Sequence, residues 1–567
     1  MITVLINAIR FLINVYRALS RRPPDYIWLT VSGSLPEFRV REGFPRRVVS
    51  ASQSGLALED LREVFDRLSD RREVQGVVLR IQDLNADWAA LEEARSEVAL
   101  FRASGKRVVA YMVGADTRAY YLACAADRVY ATPASTLSVT GLSSRVNFLR
   151  DALERVGVEG EVLAVSPYKS AGETFTRNDF SAEAREQAER LLDRRYEQLE
   201  SGIAEGRGMS AEMVREKIDN APYGASRAVE EGLLDGIAYE DELSGKLGGV
   251  EGVQVREWSR ARLALKLPYR SLSRRRIGVV GATGTITRGA SRRVPVPLPL
   301  VGGEQAGSDS VVAALRLAEQ DRRIGSVLFH VDSRGGDSLA SDLIWREVER
   351  IDKRSKPVVV LMGNTAASGG YYISAAARSI VARRSTVTGS IGVILLRPNF
   401  AGLYGKLGIN PVTLERGANS GLFDTSHALR PADLDKLGEQ LQEIYAQFKD
   451  RVHRGRGLSE EEIEPLAGGR VWTGAEAREL GLVDDLGGYR AALRRAAAAA
   501  GMPPEEAARS LVHLRPPRRG RPEPGSPQPA GLLSELTGLP ETLRAARRLQ
   551  KSGTWLVAPY RFDPYEE

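Results

Sequence analysis

Two side chains in this sequence could form a hydrolytic pair, a serine at position 368 and a lysine at position 169. Ser368 lies in PVVVLMGNTAASGGYYISAAA, where an apolar strand pattern is followed by a turn and a small-residue helix. A hydroxyl at a helix N-terminus is close to free N–H groups that favour developing negative charge. Because a serine is a weak nucleophile without a base, Lys169 in SPYKSAGE is the candidate base. The alternatives without a catalytic function are that Ser368 lies in a tight helix-packing site and that Lys169 is a solvated surface lysine.

A loop with two adjacent glycines could complete such a site. Gly335 and Gly336 follow the apolar run SVLFHV, and their N–H groups could approach a substrate carbonyl. Two such loops on adjacent strands would make an oxyanion hole. Lys169 must be neutral to act as a base, although a free lysine titrates at about 10.4, so we expect burial without a carboxylate partner. Ser390, in TVTGSIGV, is the predicted hydroxyl that orients the amine.

The chain contains one sequence module twice. GKRVVAYMVGADTRAYYLACAA, from Gly105, aligns with SKPVVVLMGNTAASGGYYISAA, from Ser355, and Tyr120 falls on Tyr371 at an offset of 371 − 120 = 251. A repeat of this length indicates a domain duplication rather than a solenoid.

The two copies differ at complementary positions. The first copy has Thr117 where the second has Ser368, and Ala86 and Asp87 where the second has its glycine pair. The second copy has Asn419 at the position of Lys169. Joint loss of the serine and its loop is harder to ascribe to independent drift, so the pattern favours one site built from two half-sites.

Short apolar runs that alternate with helical patterns predict the fold class. GVVLRIQDL (76–84) and KRVVAYMV (106–113) are continuous apolar strands, and long charged helices are predicted over 182–205 and 432–456. This pattern is typical of α/β domains with parallel-sheet βαβ units, here in tandem duplication. The predicted domains are a membrane-anchor helix at 1–24, a first repeat with the lysine at 25–259, a basic linker at 260–276, a second repeat with the serine at 277–500, and a Pro/Arg-rich linker and tail at 501–567.

The first twenty residues predict an amphipathic helix with one narrow polar stripe. Arg10 lies in the middle of this segment, which is costly in a spanning helix and breaks the core of a signal peptide. We expect an interfacial anchor on a membrane surface. A membrane-spanning helix is the second interpretation, and a cleaved signal peptide that ends near Ser20 is the third. The interpretation without a membrane function is a terminal helix buried against the protein. The stripe consists of Thr3, Asn7, Arg10, Asn14, Arg17 and Arg21.

Composition and spacing argue against several other functions. The net charge is +7 (80 − 73) with scattered arginines, so we expect no nucleic-acid partner. The four histidines show no ligand spacing and Cys124 is the one cysteine, so we expect no metal and no intrachain disulfide. Gly278, Gly281 and Gly284 imitate a dinucleotide motif, but prolines near position 295 follow where a helix would be needed. We expect no cofactor.

Five motifs resemble the signal peptide peptidase A (protease IV) family in its long, duplicated form. They are DSRGGDSLAS, MGNTAASGGYYIS, STVTGSIGV, YKSAGETFTRND and RVWTGAEARELGLVDDLGG, within roughly residues 50–490. The resemblance implies a ClpP/crotonase-like fold and a Ser–Lys protease that degrades cleaved signal peptides. It also implies a homo-oligomer, a tetramer in the family, at the bacterial inner membrane with the catalytic domains on the extracytoplasmic side.

The same resemblance implies a role for each site residue. Two departures, Arg334 and Asp337, replace the Pro before and the Ser after the family's glycine pair, and they bear on specificity more than on reaction type. The implied roles are nucleophile for Ser368, general base for Lys169, lysine-orienting hydroxyl for Ser390, and oxyanion region for Gly335, Gly336 and Gly369.

Two other functions fit the same sequence. A crotonase-like enzyme acting on acyl thioesters would use the same fold and oxyanion site without a Ser–Lys pair. A catalytically silent membrane scaffold predicts that Ser368 and Lys169 lie far apart. The C-terminal segments LPETLRAARRLQK and TWLVAPYRF could dock on the body, on a partner or on a membrane.

Overall fold

The chain folds into two compact units. The computed structural model describes residues 2–20, 22–39, 55–248, 252–269, 273–294, 303–515 and 554–557. Of the described residues, the first unit contains those up to 144 and those from 192 to 269, and the second contains those from 145 to 191 and from 273 to 557. Arg21, the prolines near position 295 and the predicted helix LPETLRAARRLQK lie outside the described residues.

The first unit contains a six-stranded sheet in which every neighbouring pair of strands is parallel. Its central strands Gly76–Leu84 and Arg107–Met112 match the apolar runs predicted from the sequence. Helices Leu58–Ser69 and Trp88–Ala103 bury apolar faces in the same core. Continuous apolar strands covered by helices are the expected composition of a parallel sheet.

The described elements of the first unit have the following bounds. Strands are Tyr26–Gly33, Gly76–Leu84, Arg107–Met112, Ala115–Asp116, Arg128–Ala131, Thr136–Ser138, Tyr223–Gly224, Gly236–Ile237 and Val255–Glu257. Helices are Ile2–Ser20, Leu58–Ser69, Trp88–Ala103, Thr117–Ala123, Ala211–Asp219, Ala225–Glu230, Leu243–Gly248 and Trp258–Ala261, with the part of Ala182–Arg207 from residue 192 onward.

The second unit repeats this sheet. The strands of the first sheet follow the order 255–257, 26–33, 76–84, 107–112, 128–131, 236–237, and those of the second follow 511–513, 276–283, 324–333, 358–367, 379–382, 485–486. The corresponding strands are about 250 residues apart, so the predicted tandem duplication of α/β units with parallel sheets is confirmed. Strand Arg276–Thr283, which carries the glycines that imitate a dinucleotide-binding motif, is followed by strand Thr285–Thr287. The helix that such a motif requires does not follow it.

A further sheet in the second unit incorporates a segment of the first sequence repeat. Strand Glu159–Ala164 pairs antiparallel with Ile394–Asn399 over six residues. The predicted boundaries 25–259 and 277–500 follow the repeat, whereas the compact units place 145–191 with the serine-bearing repeat. This pairing satisfies the main-chain groups on one side of 159–164, which explains why the segment belongs to the second unit.

The described elements of the second unit have the following bounds. Strands are Glu159–Ala164, Arg276–Thr283, Thr285–Thr287, Arg292–Val294, Gly303–Gly307, Ile324–Ser333, Gly335–Asp337, Val358–Ala367, Ser379–Ala382, Val387–Gly389, Ile394–Asn399, Val471–Thr473, Asp485–Leu486, Leu511–His513 and Thr554–Val557. Helices, including two 3₁₀ turns, are Arg150–Val156, Ser170–Gly172, Glu173–Thr176, the start of Ala182–Arg207, Ser308–Gln320, Ser338–Arg354, Gly369–Ser374, Ala401–Leu407, Pro431–Arg456, Glu460–Ile463, Glu464–Leu466, Gly474–Glu479, Tyr489–Ala499 and Pro504–Ala508.

Candidate active site

Ser368 lies at the junction between a buried strand and a short helix. The strand Val358–Ala367 ends directly before it and the helix Gly369–Ser374 begins directly after it, as the sequence pattern predicts. Its backbone has φ 55° and ψ −117°, and its N–H donates to the Gly389 carbonyl at 2.8 Å. A side chain in this region costs about 1–3 kcal/mol, so surrounding contacts must hold the serine there. Strain of this kind is common at active sites.

Lys169 is placed by the segment of the first repeat that folds into the second unit. Its backbone N–H donates to Ser166 O at 3.1 Å, just before the turn Ser170–Gly172. Gln187 ties this segment to a neighbouring strand, since its amide nitrogen donates to Tyr168 O at 3.0 Å and its amide oxygen accepts from Val471 N at 2.8 Å. The lysine is 1% exposed.

Gly469 allows the backbone of Lys169 to approach. A Cβ at position 469 would lie 2.7 Å from both Cα and N of Lys169, and the glycine has φ +88°. The Ser166 hydroxyl donates to the Gly468 carbonyl beside it. A glycine is required here for two reasons, the contact and the left-handed backbone.

The structure brings Lys169, Ser368 and Ser390 together. Lys169 Nζ lies 2.7 Å from Ser368 Oγ, 2.9 Å from Ser390 Oγ and 2.9 Å from Ser390 O. A neutral amine has two N–H groups and one lone pair. If the two N–H groups donate to the two oxygens of Ser390, the lone pair is left to accept the hydroxyl proton of Ser368. The three contacts therefore match a neutral amine that is poised as a base.

Burial determines the charge state of this amine. Desolvation lowers the pKa of Lys169 well below its ordinary value, and it is the cause of the shift. Removing an ammonium group from water without a compensating carboxylate disfavours the charged form. A lysine that is neutral at lower pH than usual can accept a proton from serine at working pH.

Three glycines meet next to the serine. A Cβ on Gly369 would lie 3.1 Å from Gly335 Cα and 3.1 Å from Gly336 N, so the main chain of the two predicted loops is in close contact. The N–H of Gly335 donates to Ser333 Oγ at 3.1 Å. Of the three glycines predicted for the oxyanion region, Gly335 therefore already has an acceptor for its N–H.

Asp337, one of the two departures from the family pattern, has a structural role. It is the N-cap of helix Ser338–Arg354, and its carboxylate accepts from Ala340 N at 2.8 Å. Arg288 forms an ion pair with it at 3.1 Å. The acid thus satisfies a helix terminus that a serine would otherwise cap.

The corresponding positions of the first unit have no such arrangement. Thr117 Oγ1 donates to the Gly141 carbonyl at 3.1 Å, and the Arg118 guanidinium donates to the Ala86 carbonyl at 3.0 Å. In the first unit, the Arg118 side chain therefore occupies the position at which, in the second unit, Gly369 contacts the glycine loop. Asn419, aligned with Lys169, is an exposed residue of a turn in the second unit. The contact between a lysine amine and a serine hydroxyl is therefore seen at Lys169 and Ser368 and not at the aligned residues Asn419 and Thr117.

Comparison with known proteins gives the family. The sequence matches Peptidase family S49 over residues 100–253 and 350–502, once in each repeat. The chain belongs to peptidase family S49. It is a serine peptidase, in agreement with the resemblance noted from the motifs.

Two relatives of this S49 peptidase match most of its length. "Serine protease SPPA, chloroplastic" of Arabidopsis thaliana is 32% identical over 92% of this chain and 76% of its own. "Protease 4" of Haemophilus influenzae is 31% identical over 77% of this chain and 72% of its own. Among solved structures, a point mutant of ClpP1 from Listeria monocytogenes matches with a TM-score of 0.24 and 15% identity, covering 38% of this chain and 93% of that one.

A loop around Arg470, whose role the sequence patterns did not indicate, supports Ser390 and Lys169 in the S49 peptidase. Arg470 O accepts from Ser390 N at 2.6 Å, and the Arg470 guanidinium lies 3.6 Å from the ring centre of Tyr168. The first contact links the loop to Ser390 in the site, and the second links it to Tyr168, the neighbour of Lys169 in the chain. The available signal was the pair Gly468–Gly469 directly before the motif RVWTGAEAREL. Among the described residues, no cluster of His, Cys, Asp or Glu is arranged to hold a metal ion.

Proposed function

We propose that this S49 peptidase cleaves peptide bonds through an acyl-enzyme on Ser368, with Lys169 as general base. Lys169 takes the hydroxyl proton as Ser368 Oγ attacks the carbonyl carbon, and it returns that proton to the leaving amine as the C–N bond breaks. A water molecule then gives a proton to Lys169 and attacks the ester, and the acid product leaves as Ser368 regains its proton. The observation that carries this proposal is the 2.7 Å contact between Lys169 Nζ and Ser368 Oγ.

The glycine loops would stabilise the tetrahedral intermediate. The N–H groups of Gly336 and Gly369 are the preferred donors to the oxyanion, because the Gly335 N–H already donates to Ser333. Ser390 holds the two N–H groups of Lys169, so its lone pair faces the nucleophile.

Two variants with matched controls test the dyad. Ser368→Ala and Lys169→Met should each lower kcat/KM for an apolar peptide by about a thousandfold or more. Ser374→Ala removes a buried hydroxyl from the same helix, and Lys356→Met removes a lysine whose amine donates to two carbonyl oxygens at 2.7 Å in the same unit. Both controls should keep activity. Hydrolysis at the unsubstituted rate by either dyad variant would refute the assignment.

Signal peptides and other extended apolar peptides are the proposed substrates. A relative of Enterococcus faecium that is 34% identical over 36% of this chain has the name "Putative signal peptide peptidase SppA". The alternative of a thioester-processing enzyme does not require the Lys169–Ser368 contact. The alternative of a silent scaffold predicts that these residues are separated, and the 2.7 Å distance favours catalysis. Product mapping with a panel of signal-sequence peptides tests the substrate class.

The N-terminal helix supports the proposal of a membrane surface as a partner. Arg17 donates to Leu265 O at 2.7 Å, Asn14 donates to Leu267 O at 3.0 Å, and Arg10 donates to Pro268 O, so the polar stripe faces the protein. The apolar side chains are outside, for example Leu12 at 68% and Leu19 at 84% exposure. This is the reverse of an ordinary surface helix. No helix in the described ranges is long and apolar enough to cross a membrane.

Flotation with vesicles tests the anchor. Leu12→Glu should reduce binding of the full chain to phosphatidylcholine–phosphatidylglycerol vesicles by about tenfold or more, because burial of one leucine contributes about 1.5–3 kcal/mol. Leu100→Glu, at a 52% exposed position of helix Trp88–Ala103, is the matched control and should bind normally. Equal binding by both variants would contradict the anchor. A homo-oligomer at the bacterial inner membrane, with catalytic units on the extracytoplasmic side, stays part of the proposal, and native mass spectrometry measures the oligomeric state.

A further inference from the structure

A short C-terminal strand lies between two strands of the second unit. Thr554–Val557 pairs antiparallel with Gly335–Asp337 on one side, where Val557 is opposite Gly335 and Leu556 is opposite Gly336. On its other side it pairs antiparallel with Ile394–Asn399, where Trp555 is opposite Ile394 and Thr554 is opposite Leu395. The segment therefore fills the space between two strand edges that would otherwise have no partner there.

Both edges border the dyad. Gly335 and Gly336 are packed against Gly369, the residue after the proposed nucleophile. Ile394 follows closely after Gly392, where an added Cβ would lie 3.4 Å from Lys169 Cδ. The strand also contacts helix Gly369–Ser374, which begins at Ser368. The C-terminal strand thus lies next to the segments that carry the proposed dyad.

An extended peptide would need the same edges. A strand added to a sheet binds through main-chain hydrogen bonds, and the register selects which residue is presented to a site at the edge. One strand fits between Gly335–Asp337 and Ile394–Asn399, so a peptide substrate and the C-terminal segment exclude each other. The surrounding sequence KSGTWLVAPY is largely uncharged and apolar, which is the substrate character proposed for this site.

We propose that residues 554–557 are an intramolecular competitor that occupies the peptide-binding groove of this peptidase. This inference rests on the proposed function, because it assigns the occupant of the same site. A tethered segment competes at an effective concentration that reaches the millimolar range. Its release should therefore lower the apparent KM for a peptide substrate by about tenfold and leave kcat unchanged.

Two variants release the segment by different means. A chain ending at Arg515 lacks the segment altogether, and Leu556→Pro keeps its length but removes a main-chain donor from the strand. Gln528→Pro places the same residue in a part of the tail that is already rich in proline and is the matched control. The shortened chain and Leu556→Pro should show the lower KM, and Gln528→Pro should match the full chain. A synthetic peptide KSGTWLVAPY should inhibit the shortened chain competitively.

A binding measurement separates this inference from the catalytic proposal. In a Ser368→Ala background, a fluorescent apolar peptide should bind about tenfold more tightly to the shortened chain than to the full chain. If the shortened chain binds the peptide more tightly but no variant that carries Ser368 hydrolyses it, the proposed dyad is refuted and the proposed intramolecular competitor stands. Hydrolysis with one KM for all variants, and no inhibition by KSGTWLVAPY, would overturn the competitor and keep the dyad. An apparent KM of the full chain that rises with enzyme concentration would assign the segment to a neighbouring copy and contradict intramolecular competition.

Discussion

Removal of the Ser390 hydroxyl tests how Lys169 is oriented. Ser390 Oγ lies 2.9 Å from Lys169 Nζ inside a fully buried site, and the carbonyl of the same residue accepts the other N–H. In Ser390→Ala one N–H of the amine has no acceptor, so the lone pair is no longer directed at Ser368 Oγ alone. The nucleophile, the base and the glycine loops remain in place.

The magnitude follows from the cost of a buried polar group without a partner. That cost is about 1–3 kcal/mol, which corresponds to about a 5- to 150-fold decrease in kcat/KM. The protonated amine would lose one of three acceptors, and hydrogen bonds to a charged group are the stronger ones. The pKa of Lys169 should therefore fall further, and the acidic limb of the kcat/KM profile should move to lower pH.

Ser390→Gly is the matched control because Ser390 has φ +51°. Glycine removes the same hydroxyl and also relieves a left-handed backbone that costs a side chain about 1–2 kcal/mol. We expect Ser390→Gly to unfold at a higher denaturant concentration than Ser390→Ala, with the same loss of activity. Activity within twofold of the original enzyme in both variants, or an acidic limb that moves to higher pH, would refute the reasoning.

Two further variants probe the lysine. Gly469→Ala places a Cβ 2.7 Å from the Lys169 backbone and should lower kcat/KM by about a hundredfold, since displacing the lysine by about 1 Å is enough for a loss of that size. The control is Gly457→Ala, at φ +71° with open space around it, which should be less stable but keep its activity. Equal activity of the two variants would contradict this account. Lys169→Met should remove a pH dependence of stability. In the original chain burial lowers the pKa of Lys169, so the unfolded state binds one more proton than the folded state between that lowered pKa and about 10.4. The free energy of unfolding of the original chain should therefore rise with pH in this window by about 1.4 kcal/mol per pH unit. Parallel denaturation profiles of the original chain and Lys169→Met from pH 7 to 10 would contradict the neutral amine.

Much of the fold follows from local sequence patterns. The strand Gly76–Leu84 has the predicted bounds, and the predicted helices 182–205 and 432–456 are found at Ala182–Arg207 and Pro431–Arg456. These elements have strong apolar or amphipathic periodicity, which depends on neighbours close in the chain. The pairing of Glu159–Ala164 with Ile394–Asn399 joins segments more than 200 residues apart, and no local pattern specifies it.

The site shows the same division. Ser368 and Lys169 could be predicted from the repeat, because the other copy has Thr117 followed by Arg118 in place of Ser368 and Gly369, and Asn419 in place of the lysine. The support from Gly469 and Arg470 depends on a loop that meets the lysine segment only in the folded chain. The hydrogen bond from Gly335 N to Ser333 Oγ could not be predicted from the sequence either, since it depends on the backbone direction at the end of a strand.

The dyad is tested most directly by covalent labelling of the serine at several pH values. A fluorophosphonate reagent should add once, at Ser368, at a rate that rises with pH through the lowered pKa of Lys169. Intact-mass and peptide mapping should find no adduct in Ser368→Ala, slow labelling without that pH dependence in Lys169→Met, and normal labelling in Lys356→Met. Labelling of another residue, or the same rate and pH profile in Lys169→Met as in the original chain, would contradict a nucleophile activated by this lysine.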